Sequence, residues 1–76
     1  MKTYQISIPT FTKATRFQNH VSKARGKVDL KQDHYTVNAK SILGIFSLDL
    51  NRSMELCIHE EEDEALLMPL VLEYLN

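Results

Sequence analysis

Seventy-six residues suffice for one domain, and a domain this short buries only about 60% of the surface its unfolded chain exposes, so its apolar residues must be used efficiently. With 43% hydrophobic and 25% charged residues the composition excludes a disordered chain, and the lone cysteine, Cys57, excludes an intrachain disulfide. The formal net charge is only −1, yet residues 1–40 hold Lys2, Lys13, Arg16, Lys23, Arg25, Lys27, Lys31 and Lys40 against Asp29 and Asp33, whereas residues 41–76 hold Arg52 alone among the acids.

Tyr4, Ile6 and Ile8 alternate with Gln5 and Ser7, the pattern of a strand with one buried face. Pro9, with no N–H to give a ladder, ends it. From Lys13 to Arg25 the apolar residues Ala14, Phe17, Val21 and Ala24 recur every three or four positions and predict an amphipathic helix. Thr10 or Thr12 is placed to cap its start, and Gly26 stands where a left-handed C-terminal cap is expected. Val28 and Leu30 predict a second strand and Tyr35 and Val37 a third, joined by a turn at Gln32-Asp33-His34.

Ser41 takes the N-cap position of a short helix, Ile42-Leu43-Gly44-Ile45-Phe46-Ser47-Leu48. Met54, Leu56 and Ile58 alternate with Glu55, Cys57 and His59 and predict a fourth strand. The acidic run Glu60–Glu64 leads into a last helix, Ala65–Leu75, where carboxylates suit the positive end of the helix dipole. Pro69 is expected to kink that helix or to move its start toward Met68. The order β-α-β-β-α-β-α gives an α+β fold, four antiparallel strands whose apolar face is covered by helices.

Nothing in the chain carries catalysis. Gly26 and Gly44 do not make a phosphate-binding loop, and no nucleophile–base pair or pair of carboxylates stands at a working spacing. Cys57 and His59 share a strand face, but two ligands are fewer than a closed metal site needs, so neither metal nor cofactor is expected. His20, His34 and His59 fall on a helix, a turn and a strand, none of them at a helix N-terminus where free amides favour an incoming phosphate. No run approaches the ~20 apolar residues of a membrane span, and Met1–Thr10 has no apolar signal-peptide core, so a cytoplasmic protein is expected.

The segment Val37-Asn38-Ala39-Lys40-Ser41-Ile42-Leu43-Gly44-Ile45-Phe46-Ser47-Leu48 resembles the regulatory-serine segment of the HPr family, the phosphocarriers of the bacterial sugar phosphotransferase system. There a Lys-Ser-Ile run leads to a glycine and then to Ser-Leu. The register continues backward without a gap through Thr36, Leu30, Val28, Lys23, Ser22, Thr15 and Ala14, so the resemblance covers roughly Thr10 to Leu50. It implies the family's open-faced β-sandwich, with sheet order 1-4-2-3 and three helices on one face. On this register the family's phosphate-accepting histidine falls on Thr10, its neighbouring arginine on Thr12 and the proline after that on Lys13. An HPr histidine takes phosphate from phosphoenolpyruvate through Enzyme I and hands it to sugar-transport proteins, which a labile phosphoramidate permits. A threonine ester is far less labile, so the resemblance implies a member not competent for that transfer.

The family's regulatory serine falls on Ser41; in Gram-positive relatives a dedicated kinase phosphorylates it, and the product is a corepressor with a catabolite regulator. Ile42, Leu43 and Phe46 fall on the family's exposed apolar patch, with Ile45 and Leu48 turned inward and Lys13 and Arg16 as further contact residues. The expectation is an HPr-like regulatory or adaptor protein whose partners are HPr serine kinase, a catabolite regulator or phosphotransferase-system components. One alternative is an unphosphorylated decoy that occupies HPr's partners. Another is a nucleic-acid binder using the basic first half, against which stands the lack of stacking aromatics on a clear basic sheet face.

Overall fold

Strand alternation decides which residues meet the helices. The computed structural model describes residues 1–75. Strand β1 (Lys2–Ile6) is followed by helix α1 (Phe11–Val21), the hairpin of β2 (Val28–Gln32) and β3 (Tyr35–Asn38), the short helix α2 (Ile42–Phe46), strand β4 (Met54–Ile58) and helix α3 (Glu61–Tyr74). The antiparallel strands lie in the order β1-β4-β2-β3, as the resemblance implies. Tyr4, Leu56, Leu30 and Val37 form one row across the sheet, and Thr3, Cys57, Asp29 and Asn38 form the next. Adjacent rows point to opposite faces. The first therefore faces the helices and the second the uncovered side.

All three helices contribute to one core. Phe17 and Val21 of α1, Ile45 of α2 and Leu67 and Val71 of α3 are buried with Ile6, Leu30, Leu56 and Ile58 of the sheet. The Phe17 and Tyr74 rings meet edge to face at 5.6 Å and join α1 to α3. Burial and then the neighbouring Glu73 push the Tyr74 hydroxyl above its ordinary pKa. Gln32, the one polar residue of a helix-facing row that is buried, has its amide fully used: Nε2 donates to the Asp49 carbonyl and Oε1 accepts the Asp49 N–H, each at 2.8 Å. The hairpin turns on Asp33 and His34, with Asp33 at φ 55°, a region aspartate enters more readily than most residues. Arg52 donates to the Asp33 carboxylate at 2.7 Å and holds it below the usual carboxylate range.

Helix boundaries differ from the sequence expectation in all three helices: α1 begins at Phe11 rather than Lys13, and α2 ends at Phe46, short of Leu48. Helix α1 ends at Val21, capped by Ser22, and not at Arg25. Ala24 is still buried, but from a turn in which its N–H bonds the Val21 carbonyl at 2.9 Å. Gly26 is not left-handed, since no glycine has positive φ. Its role is close approach: a Cβ there would run into the side chain of Glu60. Helix α3 starts at Glu61 rather than at Ala65 or near Met68 and ends at Tyr74 rather than Leu75, and Pro69 lies inside it. The acidic run is thus its first turn, with Asp63 turned inward and buried. Proline deprives the Ala65 carbonyl of its helical donor, and the exposed position of Ala65 is one where solvent can take the donor's place. Strand β4 ends at Ile58, one residue before His59.

Candidate docking and phosphorylation site

Strand β1 ends at Ile6, short of Ile8 and Pro9, where the alternation places its end, and the Ser7 N–H turns to the Tyr74 carbonyl at 2.9 Å; Thr10 then stands extended (φ −138°, ψ 158°) at the start of α1. Its Oγ1 accepts the Lys13 N–H at 3.1 Å and its carbonyl accepts the Ala14 N–H at 3.0 Å. Thr10, not Thr12, is therefore the cap. Ser41 performs the same office for α2: at φ −101° and ψ 116° its Oγ accepts the Gly44 N–H at 3.1 Å.

A polar frame fixes Ser41. Its N–H donates to the Asn38 carbonyl at 2.9 Å, and the Asn38 side-chain oxygen accepts the Lys40 N–H at 2.9 Å. The Lys40 ammonium reaches the Ala24 carbonyl at 2.7 Å, and Gln18 of α1 donates to the Lys40 carbonyl at 2.7 Å. Gly44 lets α2 lie close on β3, since a Cβ would stand 3.3 Å from Val37 Cβ.

The apolar residues of α2 and of the turn after it divide between core and surface, with Ile42, expected on the exposed patch, at the boundary. Ile45 is fully buried and Leu48 nearly so, Leu43 is 78% exposed and Phe46 39%, and Ile42 is half-buried. Phe46 is not a lone anchor. Its ring meets that of Phe11 edge to face at 5.1 Å, and Phe11 is itself 68% exposed. The sequence reading does not single out Phe11. The available signal was its place directly after the cap, where a helical side chain leans back over the cap instead of onto the sheet. Pro9, Thr10 and Phe11 on one side, and Phe46, Leu48 and Leu50 on the other, line a cleft of about 450 Å³.

Phe11 meets Phe46 while Gln18 meets Lys40, so α2 runs back along α1 and puts Thr10 and Ser41 at opposite ends of the patch. Lys13 and Arg16 are exposed on α1. Lys13 and Arg16, three residues apart, share one side of the helix, turned away from the aromatic pair. The two cations therefore flank the patch instead of mixing with it.

The histidines lie elsewhere: His20 in the last turn of α1, His34 in the hairpin turn, and His59 past β4 with Nε2 3.0 Å from the buried Asp29 carboxylate. Cys57 has no exposed surface, and burial, with the Glu55 carboxylate beside it, pushes its thiol up. Among the described residues no group of three or more His, Cys, Asp or Glu is disposed to hold a metal, and no helix is long and apolar enough to cross a membrane. The uncovered sheet face mixes Asp29 and Glu55 with Lys31, not the basic face a nucleic-acid binder would use.

The family model described as "PTS HPr component phosphorylation site" matches residues 11–76. The chain belongs to the HPr family. No curated protein matches it at a significant level. The HPr match takes in Ser41, α2 and Phe11, and it begins one residue after Thr10. Membership of the HPr family makes this a phosphocarrier-like protein related to the phosphotransferase system, a family of carriers rather than enzymes that interact with the system's proteins.

Proposed function

We propose that this HPr-family protein is a cytoplasmic regulatory or adaptor member that does not carry phosphate on histidine, with Ser41 as its modifiable hydroxyl and the exposed residues of α2 as its docking surface. The observation that carries the reading is the start of α1, where the hydroxyl of Thr10 caps the helix and no imidazole stands nearby. A helix N-terminus favours an incoming phosphate, but onward transfer needs an acceptor whose phosphoryl bond is labile. A hydroxyl forms an ester, which ends the relay. Incubation with Enzyme I and labelled phosphoenolpyruvate is expected to leave the protein without acid-labile label. Label on any histidine would overturn the proposal.

Phosphorylation of Ser41 suits its surroundings. The phosphate would sit at the positive end of α2, which has no acidic residue in its first turn, beside an N–H that Ser41 already engages. A cap alone contributes about 1 kcal/mol and would explain the serine without modification. Mass spectrometry after treatment with an HPr serine kinase separates the two: phosphate is expected on the wild type and absent from Ser41→Ala. Equal labelling of both would remove Ser41 from the proposal. The exposed Phe11–Phe46 pair also supports docking with Ser41 unmodified, the decoy reading, in which the protein competes with HPr for its partners.

A further inference from the structure

Helix α3 is apolar on both sides. Its inner side, with Leu67, Leu70, Val71 and Tyr74, lies in the core. On its outer side Ala65, Leu66, Pro69 and Leu72 are exposed, Leu72 to 65%, and Leu75 just beyond the helix is 51% exposed. A surface helix ordinarily turns charges to water. This one has no charged residue between Ala65 and Leu72.

The exposed side is also ordered along the helix. Ala65, Leu66, Pro69 and Leu72 form one exposed seam along it, whereas Met68 is partly buried against the core and Leu75, beyond the helix, pairs with Ile6 of β1. At 1.5 Å per residue the seam from Ala65 to Leu72 is about 10 Å long, or two turns. Helix α3 packs on β1, β4 and α1, whereas α2 packs on α1 and β3, so the seam is separate from the Phe11–Phe46 patch.

Charge narrows the occupant. Glu61, Glu62 and Glu64 stand at one end of the seam and Glu73 near the other, and none of them is in an ion pair among the described residues. Two copies of α3 packed antiparallel would set Glu61 and Glu62 of one against Glu73 of the other, and packed parallel would set each carboxylate against itself. Either arrangement opposes like charges. An anionic lipid surface meets the same repulsion.

We propose that the outer face of α3 docks a basic amphipathic helix of a partner protein, with its apolar side chains on Leu66, Leu72 and Leu75 and its lysines or arginines over the surrounding carboxylates. A contact this short makes a weak, transient complex that strengthens at low salt. The test uses the full chain and a fluorescent leucine–lysine peptide of about 18 residues, long enough to be helical, with leucines at helical spacing. A leucine–glutamate peptide serves as the charge control.

Saturable anisotropy binding of the lysine peptide is expected, with amide shifts at Ala65, Leu66 and Leu72. Leu72→Glu should weaken it by about tenfold or more, as loss of a central apolar contact does. That variant adds negative charge, so attraction by charge alone would instead raise the affinity. Phe46→Ala should leave this binding unchanged. Equal binding by Leu72→Glu and the wild type, or equal binding of the two peptides, would overturn the proposal. So would a dimer in sedimentation that Leu72→Glu dissolves, which would make a second copy the occupant. Leu72-dependent binding to phosphatidylcholine vesicles in place of the peptide would make it a lipid face.

Discussion

Replacing Ile45 by alanine is expected to lower the unfolding free energy by about 2–5 kcal/mol, while Phe46→Ala lowers it by less than about 2 kcal/mol. The two residues are neighbours on a five-residue helix and differ in what they touch. Ile45 is fully buried and is the one buried residue of α2. A helix this short has no stability of its own, since isolated helices below about 12 residues are marginal. Ile45 therefore holds α2 on the sheet, and with it the cap at Ser41. Phe46 keeps 39% of its surface exposed, and its aromatic contact is with Phe11, which is more exposed still. An edge-to-face pair contributes about 0.5–1.5 kcal/mol beyond its buried area. Urea unfolding of the two variants, followed by circular dichroism, gives the comparison. If Phe46→Ala cost as much as Ile45→Ala, Phe46 would belong to the core and the docking patch would lose its aromatic pair. If Phe46→Ala unfolds normally, its effect on partner binding can be read free of stability. An aromatic anchor of this kind contributes about 2 kcal/mol or more to an interface.

The contrast between Ile45 and Phe46 was legible in the sequence because periodicity and the family register agree there. The strands were legible for a similar reason: Tyr4 and Ile6, Val28 and Leu30, and Leu56 and Ile58 alternate cleanly, and all six face the helices or lie in the core. Ser41 was legible as a cap because a short hydroxyl side chain before an apolar run has one local use, whereas Thr10 and Thr12 were equally placed for α1 and only the bond from the Lys13 N–H separates them. What periodicity could not supply were the ends of α1 and α3, which are decided by contacts far apart in the chain. Ala24 keeps the helical spacing of Val21 yet lies beyond the helix, since a carboxylate 38 residues away holds the next amides. The acidic run reads as a lead-in suited to the helix dipole, but Asp63 among its members is buried, and nothing in a run of like residues marks which one turns inward. At the site, Phe11 stayed hidden because its partner Phe46 is remote in sequence. Lys13 and Arg16, expected among the partner-binding residues, are exposed three residues apart on one side of α1, and periodicity alone did not relate that side to Phe11.

Asp63→Ala is the second large effect, a loss of about 2–4 kcal/mol, from two hydrogen bonds that each contribute about 1.5–3 kcal/mol when one partner is charged, reduced by water reaching the freed amides. Asp63 is 2% exposed, and its Oδ1 accepts the Arg25 N–H at 3.0 Å while its Oδ2 accepts the Gly26 N–H at 2.8 Å. Both oxygens thus take up amides of the turn that leaves α1, which no local side chain satisfies. Asp63→Asn keeps the shape but turns an NH₂ toward one of the two N–H donors, so an intermediate loss is expected. Thermal or urea unfolding of both variants measures the series alanine, asparagine, wild type. A loss within about 0.5 kcal/mol for Asp63→Ala, the range of an ordinary surface substitution, would mean that the turn holds itself. The loss should also reach the site. The turn carries Ala24, whose carbonyl accepts the Lys40 ammonium, and Lys40 directly precedes the cap of α2. Loosening the turn removes that anchor, and hydrogen exchange at Lys40 and Gly44 should rise by more than the global loss of stability requires. Exchange at those amides that merely tracks global unfolding would show that Ser41 is held by α2 and Asn38 without help from the turn.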